Sequence, residues 1–368
     1  MQTQSPQLTQ QLATMFGSRL PEAQTAALRA DLAACRASLR NGSKTFLAAS
    51  LLLPRGVHEP ASALYAFCRL ADDAVDARGD RRDAVERLRE RLHLAYAGTP
   101  QDDPADRALA VVVAQHHIPA ALFDGLLEGF VWDLQGRRYD TLDALHDYAA
   151  RVAGTVGAMM ALLMGVRSAE GLARACDLGV AMQLSNIARD VGEDARMGRL
   201  YLPREWMVAA GLDPDTWLAR PVFSPALGSV VQRVLDAADV LYERVDAGVA
   251  RLPLACRPGI NAARFMYAAI GHEVARRGLD SVSARARVSG ARKVWLLLRS
   301  VAQLAPPASA CALPPLAANR FLVDAAMASA PRVEPPARRG LADRVVWTAE
   351  LFARLETRDR LRRSDLAT

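Results

Sequence analysis

The chain has 368 residues, 51% of them hydrophobic and 23% charged, enough for a sizeable core in one large domain or two smaller ones. A formal charge of +6 suits an acidic or phosphorylated ligand or an anionic membrane surface, whereas no zinc-finger spacing or aromatic-interleaved basic stretch points to nucleic acid. Five cysteines without regular spacing (Cys35, Cys68, Cys176, Cys256, Cys311) argue against a disulfide framework and read as small core residues in a reducing compartment.

Ala, Leu and Arg dominate and β-branched runs are scarce, so the expected class is all-α. Residues 1–30 read as a loosely specified N-terminal extension without a secretory signal, and residues 31–303 as one densely helical domain. Within that domain the first informative helix is "LYAFCRLADDAVD", Leu64 to Asp76. At about 100° per residue it places Tyr65, Arg69, Asp72 and Asp76 within an arc of about 60°, with apolar residues around most of the remainder. Such a helix is buried, and its narrow polar stripe faces an internal cavity. "RRDAVERLRERLHLAYAG" follows, with Ala84, Leu88, Leu92 and Ala95 at helical spacing and Gly98 as the stop.

"VAGTVGAMMALLMGV", Val152 to Val166, is too short and too interrupted by glycine for a membrane span. No strand precedes it, so its glycines are no dinucleotide fingerprint; they suit close helix packing or a kink beside a ligand. "QLSNIARDVGEDARMGRLYLP", Gln183 to Pro203, then sets Gln183, Asn186, Asp190 and Asp194 within about 80° of arc. A further helix runs through Ala226 to Leu252. After residue 303 the Pro-rich pieces "APPASACALPPLAANR" and "SAPRVEPPARRG" read as connectors, leading to a basic helix from Leu341 to Leu361. His116, His117, His146 and His272 read as exposed or satisfied residues rather than ligands.

The two polar stripes carry the chemistry. A pair of carboxylates about 5 Å apart costs roughly 3 kcal/mol at an effective dielectric of 20. Four aspartates lining one cavity therefore call for divalent cations, and ligands that are all oxygen suit Mg²⁺ or Mn²⁺ rather than zinc. Arg69, Arg189 and Lys44 add phosphate contacts, so the expected substrate is a diphosphate carrying a hydrocarbon.

In "NGSKTFLAASLLLP", "ALYAFCRLADDAVD", "YAARVAGTVGAMM", "QLSNIARDVGEDARMGRLYLP" and "GINAARFMYAAIGHEV", taken in order, the chain resembles the squalene and phytoene synthases from about Ala34 to Ser300. It looks closest to the bacterial members of carotenoid pathways. The resemblance implies an isoprenoid-synthase (class I terpenoid synthase) helical bundle around a central cavity. It assigns Asp72, Asp76, Asn186, Asp190 and Asp194 to metal binding, and Ser43, Lys44, Tyr65, Arg69, Gln183 and Arg189 to holding diphosphate or ordering the site. Tyr148 and Tyr267 match aromatic residues near the reacting carbons. Tyr65, Arg69, Arg189, Tyr148 and Tyr267 are thus the candidate catalytic set, and Tyr267 is a substrate-binding candidate as well. One departure stands out: this chain has Asn41 where many relatives have histidine before the Ser-Lys pair.

The implied reaction is head-to-head condensation of two geranylgeranyl diphosphates through prephytoene diphosphate to phytoene. It would use two or three Mg²⁺ or Mn²⁺ ions and no NADPH. Val156, Met159, Met160 and Leu163 are candidates for an apolar lining that keeps water from the cation. Expected partners are geranylgeranyl diphosphate, a peripheral membrane surface and neighbouring carotenoid enzymes, with cytoplasmic placement at the inner face of the membrane. The rivals are a squalene or dehydrosqualene synthase acting on farnesyl diphosphate, a chain-elongating prenyltransferase, a terpene cyclase, and a non-catalytic scaffold of the same fold.

Overall fold

The computed structural model describes residues 22–42, 44–76, 81–303 and 313–329, and among these there are helices and no strands. α1 (Glu22–Gly42), α2 (Lys44–Ser50), α3 (Arg55–Asp76), α4 (Arg81–Tyr96), α5 (Pro104–His116) and α6 (Ala120–Leu134) form the first half. α7 (Leu142–Ala149) runs through a π-helical segment (Ala150–Gly154) into α8 (Thr155–Leu163). Then come α9 (Ala169–Arg196), the short α10 (Arg204–Ala209) and α11 (Pro214–Ala219), α12 (Pro225–Val249), α13 (Arg257–Arg276), α14 (Gly290–Ala302) and α15 (Arg320–Ala328).

Local chemistry sets the ends. Asp103 caps α5, its carboxylate accepting the Ala105 N–H at 2.8 Å with Pro104 in the first turn. Ser224 with Pro225 does the same for α12. α4 stops as its sequence requires: Gly98 adopts φ 78° and the Thr99 N–H returns to the Leu94 carbonyl.

α9 is the central element. It is buried on most of its circumference from Gly171 to Ala195 and packs against α8, α12, α13 and the π-helical segment. Glycine permits the closest of these contacts: a Cβ on Gly157 would lie 2.2 Å from the Ala175 carbonyl oxygen, and one on Gly179 would lie 2.2 Å from that of Ala153. The glycines of Val152 to Gly157 thus serve close packing beside a cavity, and the extra π-helical residue marks the place.

Both ends of the domain differ from the sequence reading. The first helix already begins at Glu22, and Cys35 and Leu39 are buried from it. The chain past residue 303 is more than connector: α15 docks on α6, α8 and α9 with Leu322, Val323 and Ala326 buried. A polar network fastens this return. Asp177, fully buried, takes Arg174 at 3.0 Å, Arg244 at 3.1 Å and the Asn319 amide at 2.9 Å, while Arg174 donates to the Leu313 and Pro314 carbonyls. Proline-rich composition hid the apolar face of α15, whose burial depends on partners more than a hundred residues away. The basic stretch Leu341 to Leu361 lies outside the described residues.

Candidate active site

A cavity of about 320 Å³ runs beside α9 and is walled by α3, the π-helical segment, α8, α12 and α13. Along α9 its lining runs from Gly171 to Asn186, about 22 Å at 1.5 Å per residue. Val156, Met159, Met160, Met164, Leu178 and Met182 make most of the shaft apolar. Leu163 is buried in the core and is not part of this lining. Methionine suits such a wall, because its unbranched side chain adapts to an irregular apolar ligand.

Arg174 reaches the lining near the Gly171 end, and the other polar groups gather towards Asn186. Tyr65 from the first stripe lines the cavity with Gln183 and Asn186 from the second and with Tyr267. Phe46 stacks on Tyr65 with ring centroids 5.6 Å apart. The Tyr65 hydroxyl lies against the backbone at Gly42, where a Cβ would come within 2.0 Å of it. This contact places the Asn41-Gly42 stretch, which departs from the family pattern, directly beside the polar end. Burial raises the Tyr267 hydroxyl above its ordinary range; nearby Arg189 opposes the shift and Tyr65 and Asp190 add to it.

Beyond Asn186, α9 carries the carboxylates one turn at a time. Asp190 accepts the Arg189 Nε at 2.6 Å and a second hydrogen bond from the Arg189 Nη2. Arg285, from the segment after α13, adds contacts of 2.8 Å and 3.1 Å and also reaches Glu193 at 3.2 Å. Asp194 is in a harsher place: burial, then the Asp190 charge, push its carboxyl up to about 7, although Arg199 pulls the other way. Such a carboxyl gains from a divalent cation, and Asn186, Asp190 and Asp194 offer an all-oxygen donor set that fits Mg²⁺ or Mn²⁺. Among the described residues no three acidic, His or Cys side chains are already gathered around one point.

Tyr148 sits elsewhere. It is 3% exposed, donates to Asp133 Oδ2 at 2.9 Å, and is absent from the cavity lining. Tyr201 donates to Asp133 Oδ1 at 2.7 Å, and its ring stacks on Tyr148 and Tyr139. The Asp133 charge contributes to the raised pKa of Asp194, so this aromatic cluster backs the carboxylate end. Asp133, Tyr201 and Arg285 escaped the sequence reading. Tyr201 lies inside the quoted "GRLYLP", but only folding reveals its carboxylate partner 68 residues earlier. Ser43 is outside the described residues, and of Lys44, Asp72 and Asp76 only the backbone is described, in α2 and at the end of α3. Arg69 is an exposed residue of α3. His146 departs from expectation too: it is buried, with no hydrogen bond to either ring nitrogen among the described residues, and burial lowers its pKa.

With this geometry in view, comparison decides the family. Residues 39–292 match the squalene/phytoene synthase family. The chain belongs to that family. A phytoene synthase of Cereibacter sphaeroides is 51% identical over 346 residues, covering 90% of this chain and 95% of that protein. One of Rhodobacter capsulatus is 54% identical over 274 residues, covering 74% and 81%. Among solved structures, a dehydrosqualene synthase in complex with a ligand superposes with a TM-score of 0.69 at 33% identity, covering 75% of this chain and 97% of that one. The protein is therefore an all-α isoprenoid-synthase fold and an enzyme of the prenyltransferase type. An alignment covering 90% of the chain also extends past residue 303, in keeping with the docked α15.

Proposed function

We propose that this enzyme condenses two molecules of geranylgeranyl diphosphate head to head to give phytoene and two diphosphates. The observation that carries the reading is the cavity: a long, largely apolar shaft with Tyr65, Gln183, Asn186 and Tyr267 at one end, where α9 runs on from Asn186 to its carboxylates, in a chain 51% and 54% identical to phytoene synthases. A hydrocarbon tail fits the shaft, and a diphosphate fits the arginine-rich end.

Asn186, Asp190 and Asp194, with Asp72 and Asp76 of α3, are the residues to hold Mg²⁺ or Mn²⁺. When bound, the cations supply Lewis acidity to the departing diphosphate. Arg189 and Arg285, held beside Asp190, are placed to take up the diphosphate's negative charge as its carbon–oxygen bond breaks. The first substrate thereby becomes an allylic cation, and the 2,3 double bond of the second attacks its C1. Loss of a proton closes the cyclopropane of prephytoene diphosphate. Departure of the second diphosphate, rearrangement and loss of another proton then give the central triene. Met159, Met160 and Met182 keep water away from these cations. Tyr65 and Tyr267, in the lining of the shaft, supply aromatic rings that can stabilise the positive charge as it forms.

No described helix is long and apolar enough to cross a membrane. Apolar substrate tails and a C40 product favour a peripheral position on a lipid surface, beside enzymes that use phytoene.

The test is purified enzyme offered farnesyl and geranylgeranyl diphosphates together with Mg²⁺, with and without NADPH. The expected hydrocarbon is phytoene, identified by mass and by its triene spectrum, in equal amount in both tubes. A C30 product, or one two hydrogens heavier that forms only with NADPH, would overturn the assignment.

A further inference from the structure

We propose that the outward face of α14 is the surface by which this enzyme docks on an anionic lipid bilayer. α14 packs on α13 through Leu296, with Ser300 also fully buried. Among the described residues nothing is packed over its other side. Val294 is 57% exposed, Trp295 47%, Leu298 67% and Val301 49%. At about 100° per residue these four side chains span an arc of about 120°. They form a continuous apolar stripe rather than scattered surface hydrophobics. Leu51, 66% exposed, is next to Leu52, which packs in the same cluster as Leu296 and Leu297.

The rim identifies the partner. Arg292 and Arg299 lie over the Trp295 ring at 4.5 Å and 5.7 Å, an aromatic ring beside cationic heads, as suits the boundary between acyl chains and headgroups. At the N-terminal end of α14 a polar pocket is lined by Arg276, Arg277, Arg287 and Arg292; its one acidic residue, Glu273, pairs with Arg276 and Arg277 and leaves the pocket with a net positive charge. A second copy of the chain meeting this face about a two-fold axis would bring those arginines close to their own copies. A sheet of anionic headgroups would balance them, each basic residue near such a surface contributing about 1 kcal/mol.

The position also has a consequence for the hydrocarbon, and this part rests on the proposed reaction. α13 lines the cavity with Ile260, Ala263 and Tyr267, and receives α14 with Phe265, Met266 and Ala269 on its opposite side. A single layer of helix therefore separates the shaft from α14, and a C40 product made inside has a short path to lipid.

The experiment uses the full chain with vesicles of phosphatidylcholine alone or mixed with phosphatidylglycerol, sedimented at low and high salt. Wild type should bind the anionic vesicles and release with salt. Leu298→Asp and, independently, Val301→Asp should each weaken binding by roughly tenfold or more, because a charge replaces an inserted apolar group. Both should keep the wild-type melting temperature and the wild-type condensation rate in detergent. Trp295 emission should shift to the blue on vesicle addition, and the shift should vanish in Trp295→Phe.

Three results would overturn the inference: wild type that does not bind, binding unchanged in both aspartate variants, or a wild-type dimer that Leu298→Asp converts to monomer. The last would assign the face to a second copy, and unchanged binding would move the contact elsewhere on the chain. Failure of the phytoene assignment would appear separately, as a different product in the detergent assay, with vesicle binding unaffected.

Discussion

Asp194→Asn should inactivate the enzyme while making the metal-free protein more stable, and the gain should depend on pH. Burial and the Asp190 charge hold the Asp194 carboxyl at about 7, against an ordinary value of 3.8. Each pKa unit is worth about 1.4 kcal/mol, so ionising Asp194 costs the folded chain on the order of 2–4 kcal/mol. Between the two pKa values the folded state binds more protons than the unfolded state. Wild-type stability should therefore fall as pH rises from about 4 to about 7 and level off above that. The amide does not titrate, so the variant's advantage should be small at pH 4 and full at pH 8. Urea unfolding in EDTA across that range measures the gap, and saturating Mn²⁺ should close it by restoring wild type alone. Asp190→Asn should also abolish turnover but with the opposite stability effect, since its carboxylate is the shared acceptor of Arg189 and Arg285. Its loss should cost about 1–3 kcal/mol. A gap for Asp194→Asn that stays constant from pH 4 to pH 8, or a wild type more stable than the variant at pH 8 in EDTA, would refute the reasoning.

Gly157→Ala and Gly179→Ala should each lower stability by about 1–3 kcal/mol in thermal unfolding, because the new methyl meets a backbone carbonyl rather than a movable side chain. Asp177→Asn should cost about 3–5 kcal/mol in urea, since it removes the buried carboxylate shared by Arg174 and the partly buried Arg244. Tyr148→Phe removes one of two hydroxyls donated to Asp133 and should cost about 1.5–3 kcal/mol. Asp133 then weighs more heavily on Asp194, so the variant's own raised carboxyl should be seen as a stability curve that falls over a wider pH range than wild type's.

The readable parts of this protein were those written within one or two helical turns. Gln183, Asn186 and the two aspartates share a face because the period of the helix puts them there, and no tertiary knowledge is needed to see it. Gly98 could be placed as a stop for the same local reason. What stayed hidden depends on separation along the chain. Asp133 meets Tyr201 across 68 residues, Arg285 meets Asp190 across 95, and Asn319 meets Asp177 across 142. Nothing local distinguishes Arg285 from its neighbours in "SARARVSG". The apolar face of α14 was overlooked for another reason: periodic hydrophobics look the same whether a core or a lipid surface covers them. Leu163 shows the converse, since one sequence cannot say which apolar residue of α8 turns to the cavity and which to the core.

Much of the chemistry is strung along α9, which in 28 residues passes through three environments. Its first turns hold Arg174 and Asp177 in the buried network, its middle lines the shaft, and its last turns carry Asp190 and Asp194. A slide of one residue along its axis would displace the carboxylates by about 1.5 Å, enough to spoil a coordination geometry that tolerates a few tenths of an ångström. Three close contacts oppose such a slide: Gly157 against the Ala175 carbonyl, Gly179 against that of Ala153, and Gly192 against that of Val282. The last is reinforced by the Gly192 N–H, which donates to the Ser281 carbonyl at 3.0 Å, only a few residues before Arg285. The contact that fixes the far end of α9 thus also fixes the segment that brings an arginine to Asp190. Removing the cavity's polar groups would abolish the reaction directly, but loosening these glycine contacts would misplace the same groups while leaving every one of them in the sequence.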